Sequence, residues 1–321
     1  VLAGILADPA QRAAHIAAIV SLVERGNFDG IDLDYEGFAF ADGSASWPTT
    51  KPLWTLFVTE LGTALHDRSR LLFATIPAVY APTDERGSGY WVYNPVGIAA
   101  SVDRIRFMAY DYSTSRVGPN APLDWTQRIV DFAKSNLPLD KVELGVPLYG
   151  RDWITGAVGT CPAGVAVTGR SSLRTARAPS LAAAKGATPQ RQPNGEMLFT
   201  YNATFTGTDP VTTTTTVPDT QLPPGTDPPP AAPSVSAEAP RGNSSTTCTV
   251  AHTVWYPDSG STLAKFQQAL AAGLALGGYA VAGAATSPSH RTAVTSGASM
   301  HPSIAGVDGH GGGQCGHHGL A

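Results

Sequence analysis

No segment of the 321-residue chain restricts its fold as much as Asp29-Gly30-Ile31-Asp32-Leu33-Asp34-Tyr35-Glu36. The alternation has the period of a β-strand, in which residues two apart share a face. Asp32, Asp34 and Glu36 then lie on one face, and Ile31, Leu33 and Tyr35 on the other. The apolar face needs a core. The acidic face needs water, a cation or a substrate, because unpaired carboxylates are costly to bury. Like charges this close cannot all ionise freely, so at least one pKa has to rise. A carboxyl protonated near neutral pH is what a general acid requires. A solvated strand edge or a cation site is the plainer reading of the same row.

The surrounding chain alternates helices and strands. Asp8-Pro9 starts a helix that carries Ile16, Ile19, Val20 and Val23 on one face and ends at Gly26. A polar loop is expected over 38–50, then an amphipathic helix through Leu53, Phe57, Leu61 and Leu65. Strands follow at Leu71–Pro77, Arg104–Tyr110 and Val142–Tyr149, with an aromatic loop at Gly87–Asn94 and a helix at Asp124–Ser135. Such alternation argues for a parallel α/β sheet, either a TIM barrel or a doubly wound sheet. Glu36, Tyr110, Asp111 and Tyr149 fall at C-terminal strand ends, where barrel active sites lie.

The acidic strand resembles the DGxDxDxE signature of family 18 glycoside hydrolases, the chitinase-like TIM barrels. Met108-Ala109-Tyr110-Asp111 resembles the family's MxYD segment, and Gly145 to Arg151 its GxPxYGR segment, in family order. The resemblance spans roughly Val1 to Val281 and is strongest from Phe28 to Asp152. It implies a (β/α)8 barrel, here incomplete because the acidic strand is the family's fourth. Residues 1–154 would hold strands four to seven, and 155–250 a small α+β insertion before strand eight. In that insertion Met197–Tyr201 and Thr249–Tyr256 suit antiparallel pairing. Between them Gly207–Ser245 is rich in Thr, Pro and Gly, and disorder is expected. Residues 251–281 would supply a return strand, a helix capped by Ser261 with Leu263, Phe266, Leu270 and Leu274 inward, and strand eight. The family's Trp after that strand is replaced here by Ala282, and 282–321 reads as a disordered tail.

The same resemblance implies a retaining hydrolase of β-1,4-linked N-acetylglucosamine glycans, of chitin or peptidoglycan type. It would work by substrate-assisted catalysis and use no cofactor. Glu36 would be the acid and Asp34 would orient the acetamido group. Asp32 would keep the proton inventory of the row, and Tyr110 would hydrogen-bond the acetamido oxygen. Asp111, Tyr149 and Arg151 would line the sugar site. A non-catalytic sugar-binding protein and an inactive truncated fragment are the alternatives. The net charge of -4 with 14% charged residues argues against a nucleic-acid partner. No apolar run is long enough to span a membrane. Cys161 and Cys248 can pair in a secreted protein, while Cys315 is left over. His310, Cys315, His317 and His318 are metal-ligating types, but a Gly-rich tail holds no geometry in advance, so no metal is expected. A secreted or cell-surface monomer is the resulting expectation.

Overall fold

The computed structural model describes residues 2–85, 87–209, 244–274 and 280–281. The first half of the chain contains α1 (Leu2–Ala7), α2 (Pro9–Arg25), β1 (Gly30–Leu33), α3 (Gly37–Phe40), α4 (Trp47–His66), β2 (Leu71–Pro77), α5 (Pro95–Ile98), β3 (Arg104–Met108), α6 (Leu123–Asn136) and β4 (Val142–Pro147). After it come β5 (Tyr149–Gly159), β6 (Arg170–Arg174), α7 (Ala178–Ala184), β7 (Gln190–Arg191), β8 (Met197–Asp209), β9 (Ser244–Tyr256), α8 (Ser259–Ala272) and β10 (Ala280–Val281).

Five strands form one parallel sheet in the order β1-β2-β3-β4-β10. The described residues form no closed barrel, and β1 and β10 are the edges of this sheet. One face is apolar: Leu33, Leu72, Ala74, Ile76, Ile105, Phe107, Val142, Leu144 and Val146 are buried in a single core with the helices. The opposite face carries Asp32, Thr75, Arg106 and Glu143, with Thr75 level with Arg106 and Arg106 level with Glu143. Asp8 caps α2 by accepting the amides of Ala10 at 2.8 Å and Gln11 at 3.1 Å.

The second sheet is antiparallel, in the order β6-β5-β9-β8-β7. Met197 pairs with Tyr256 and Tyr201 with His252, so the two stretches read as partners do meet. A disulfide joins Cys161 to Cys248.

Several boundaries differ from the sequence reading. The acidic strand stops at Leu33, so Asp34, Tyr35 and Glu36 follow the strand rather than belong to it. The stretch 38–50 is largely helical, because Phe38 and Trp47 have a core to enter: Phe38 stacks on Trp54 at 5.0 Å, and Pro48 sits in the first turn of α4. The strand expected to end at Tyr149 breaks at Leu148. Tyr149 opens β5, which runs through the expected boundary at 154 and pairs with β9. β8 and β9 also reach Asp209 and Ser244, since each backbone satisfies the other's hydrogen bonds. The remainder of 207–245, the approach to strand eight at 275–279 and the tail 282–321, with His310, Cys315, His317 and His318, lie outside the described residues.

Helix α8 is the largest departure. Its N-cap is Asp258, and Ser261 is the reciprocal partner in a capping box. Leu263 and Leu270, expected inward, are each 56% exposed, whereas Ser261, Lys265 and Ala269 are buried. Leu274 is buried and Phe266 packs on the core as expected, but the buried face of the helix is rotated away from Leu263 and Leu270 and carries Lys265.

Candidate active site

Three segments bring the predicted residues together: the run after β1, the loop after β3, and the start of β5. The first holds the carboxylates. Asp32, still in β1, accepts Thr75 Oγ1 at 2.9 and 3.0 Å and pairs with the Arg106 guanidinium. Arg106 also donates to Glu143, at 2.7 and 2.9 Å, so one guanidinium serves two carboxylates on the polar face. Asp34 and Glu36 stay exposed. Tyr35 points into the core, where its ring stacks on Phe57 at 6.1 Å and its hydroxyl meets His15 Nε2 at 2.9 Å. The Tyr93 hydroxyl donates to the Tyr35 carbonyl at 2.7 Å and so fixes the backbone between the two carboxylates.

The rise in pKa expected of a carboxylate row falls on Asp34 and Glu36. Desolvation, then the charge of Asp32, raises Asp34, with Arg106 opposing. Desolvation, then the charges of Asp34 and Asp111, raises Glu36. Glu36 begins α3, yet its side chain caps nothing there, so the carboxyl is not committed to the helix.

The second segment is Ala109-Tyr110-Asp111. Tyr110 sits just past β3 with its ring 6.3 Å from that of Tyr149, edge to face. Gly145 leaves room for it: a Cβ there would lie 2.8 Å from the Phe107 carbonyl and 3.3 Å from the Tyr110 ring. Asp111 has φ +62°, a left-handed conformation that Asp tolerates better than most residues. Its Oδ1 accepts the Tyr149 hydroxyl and, at 2.5 Å, the Arg151 guanidinium. Burial, then the Asp111 charge and hydrogen bond, pushes the Tyr149 pKa up, so the phenol remains a donor. Arg151 is buried, and its Nε has no hydrogen-bond partner among the described residues.

Asn120 was not legible as a site residue. It is buried, and its side chain accepts the Asp111 amide and donates to the Tyr149 carbonyl, each at 2.8 Å. Arg106 was missed as well. Its signal was present as the charged second Arg in Arg104-Ile105-Arg106, on the alternate positions of an otherwise apolar strand. Trp91 and Trp153 are both buried and pack within the protein, Trp91 edge-on to Trp47 and Trp153 beneath Arg170.

The arrangement can deliver a proton at one end and grip a polar ring at the other. The model of the family described as glycosyl hydrolases family 18 matches residues 3–279. A probable endochitinase of Caenorhabditis elegans is 31% identical over 167 residues, 47% of this chain and 26% of that protein. Mouse chitotriosidase-1 is 29% identical over 187 residues, 51% of this chain and 38% of that protein. Among solved structures, the chitinase of Chromobacterium violaceum aligns with a TM-score of 0.60 at 22% identity, covering 85% of this chain and 67% of that one. The chain spans about a third of the length of the curated relatives it matches (34%, 26% and 32% for three of them).

Proposed function

This chain belongs to family 18 of the glycosyl hydrolases, and we propose that it hydrolyses β-1,4-linked N-acetylglucosamine glycans, of chitin or peptidoglycan type, with retention and with help from the substrate. The observation that carries this reading is Glu36: exposed, capping nothing, and with a raised pKa beside Asp34 and Asp111. A carboxyl in that state is a proton donor. Glu36 gives its proton to the glycosidic oxygen as the bond from that oxygen to the anomeric carbon breaks. The substrate's acetamido carbonyl oxygen attacks the same carbon and forms an oxazolinium ring. Asp34 accepts the acetamido N–H and offsets the positive charge. Water then attacks the anomeric carbon as its bond to the acetamido oxygen breaks and the acetamido group is restored. Glu36 takes the water's proton, and the configuration is retained.

Tyr110 donates to the acetamido oxygen in this scheme. Asp111, Tyr149 and Arg151 hold the ring. Asp32 takes part indirectly: it is paired with Arg106 and its charge adds to the rise of the Asp34 pKa. The fixed grouping of Asp111, Tyr149 and Arg151 also suits a second reading for this chain, sugar binding without turnover.

The test compares N-acetylated with deacetylated glucosamine oligosaccharides. Cleavage of the acetylated series alone is the expected result, since the deacetylated sugar lacks the nucleophile. Equal cleavage of both would exclude substrate assistance. Binding of the acetylated series without cleavage would establish the second reading.

A further inference from the structure

The turn between β7 and β8 carries a carboxylate that the reaction scheme does not use. Glu196 is fully buried. One of its oxygens accepts the Asn120 amide at 2.8 Å and the other the Ala121 amide at 2.6 Å. A carboxylate accepting two main-chain N–H groups is a strong, oriented anchor. The turn itself is built for this. The Glu196 amide donates to Asn194 Oδ1 at 3.0 Å, and the Asn194 carbonyl accepts the Leu123 amide at 2.9 Å. Near it lies Lys265, also fully buried, on the inward face of α8, where its charge acts on Glu196. Burial pushes Glu196 up and Lys265 down, while each charge opposes the shift of the other.

From this anchor the contacts run in one direction. Glu196 holds the backbone of Asn120. The Asn120 side chain holds the Asp111 amide and the Tyr149 carbonyl, and the Asn120 carbonyl accepts the Tyr112 amide at 2.9 Å. Asp111, held in its left-handed conformation, receives Tyr149 and Arg151. We propose that Glu196 is a positioning residue for sugar binding, which fixes Asp111 and Tyr149 through Asn120 and thereby makes the second sheet part of the binding site. Lys265 compensates its charge. The inference rests on the reading that Asp111 and Tyr149 grip the sugar.

Two readouts test it, one of which needs no substrate. Glu196→Gln turns an amide NH2 toward a main-chain N–H, and Asn120→Ala removes only the middle link. Each should raise amide hydrogen exchange at Asp111 and Tyr112, read by NMR, roughly tenfold or more, with α4 still protected. With N-acetylglucosamine oligosaccharides, Glu196→Gln should raise KM roughly tenfold with kcat little changed. In an Asp111→Asn background the same substitution should add nothing, because its effect passes through Asp111. Unchanged exchange at Asp111 and Tyr112 in both variants would overturn the proposal. So would KM effects that simply add in the double variant. A wild-type protein that neither binds nor cleaves the oligosaccharides would instead refute the proposed activity, and the exchange measurement would still decide whether Glu196 positions Asp111.

Discussion

At the β1 end of the site, Asp34 and Glu36 stand exposed, and desolvation raises both pKa values, with the Asp32 charge adding to the rise of Asp34 and the Asp34 and Asp111 charges to that of Glu36. At the β3–β5 end, Asp111 is held by a buried tyrosine, a buried arginine and a buried asparagine, and that asparagine is held in turn by a buried glutamate. Both ends are acidic, but they are built for different work. A group that must give up and recover a proton cannot be locked by strong donors, which would stabilise its anion. A group that must present a fixed acceptor to a sugar gains from being locked, because less ordering remains to be done on binding. In the proposed reaction the loose carboxylates serve bond breaking and the fixed one recognition.

That contrast is open to attack from its largest effect downward. Glu36→Gln keeps the shape and removes the proton, so kcat should fall by about 10² to 10⁴ with KM nearly intact. Steady-state kinetics in which KM rose instead would erase the distinction between the ends. Asp111→Asn should give the opposite pattern. Asn also tolerates the left-handed backbone, so the change isolates the charge. Loss of charge-assisted hydrogen bonds should raise KM by about ten- to a hundredfold, with kcat changing far less. The smallest effect is on stability. Glu36 has a raised pKa in the fold, so between its ordinary range and the raised value the native state binds more protons than the unfolded one. Its contribution to stability is present at acid pH and is lost as pH rises through that window. Thermal unfolding across pH should show Glu36→Gln more stable than wild type above the window and equal to it below. A variant less stable at neutral pH would mean that Glu36 is structurally engaged after all.

The strand-period alternation of residues 29–36 made the carboxylates and the core-facing Tyr35 visible, because that signal is local. The strands themselves were legible for the same reason, each being a short apolar run between helices, whereas their order β1-β2-β3-β4 followed only from the family resemblance. What stayed hidden depends on distant partners. Nothing near Glu196 marks it as buried, since the amides it satisfies belong to residues 76 and 75 positions away. Lys265 interrupted the inward face of α8 for a reason that lies outside that helix. The early start of α4 depended on aromatic packing between Phe38 and Trp54, which periodicity does not report. Asp34 and Glu36 share an acidic face in the alternation, yet the strand ends before them, because pairing with β2 stops at Leu33.

The bond between Cys161 and Cys248 closes a loop whose ends are 87 residues apart. A single backbone cut between residues 162 and 247 would therefore leave the two fragments covalently joined. The C-terminal fragment, with β9 and the Lys265 helix, would stay tethered to the segment that carries Glu36 and Asp111. Nicked protein would migrate as one species on a denaturing gel without reductant and as two with it. Exposure to a protease thus would not by itself separate the acid from the elements that position the sugar; reduction would be needed as well.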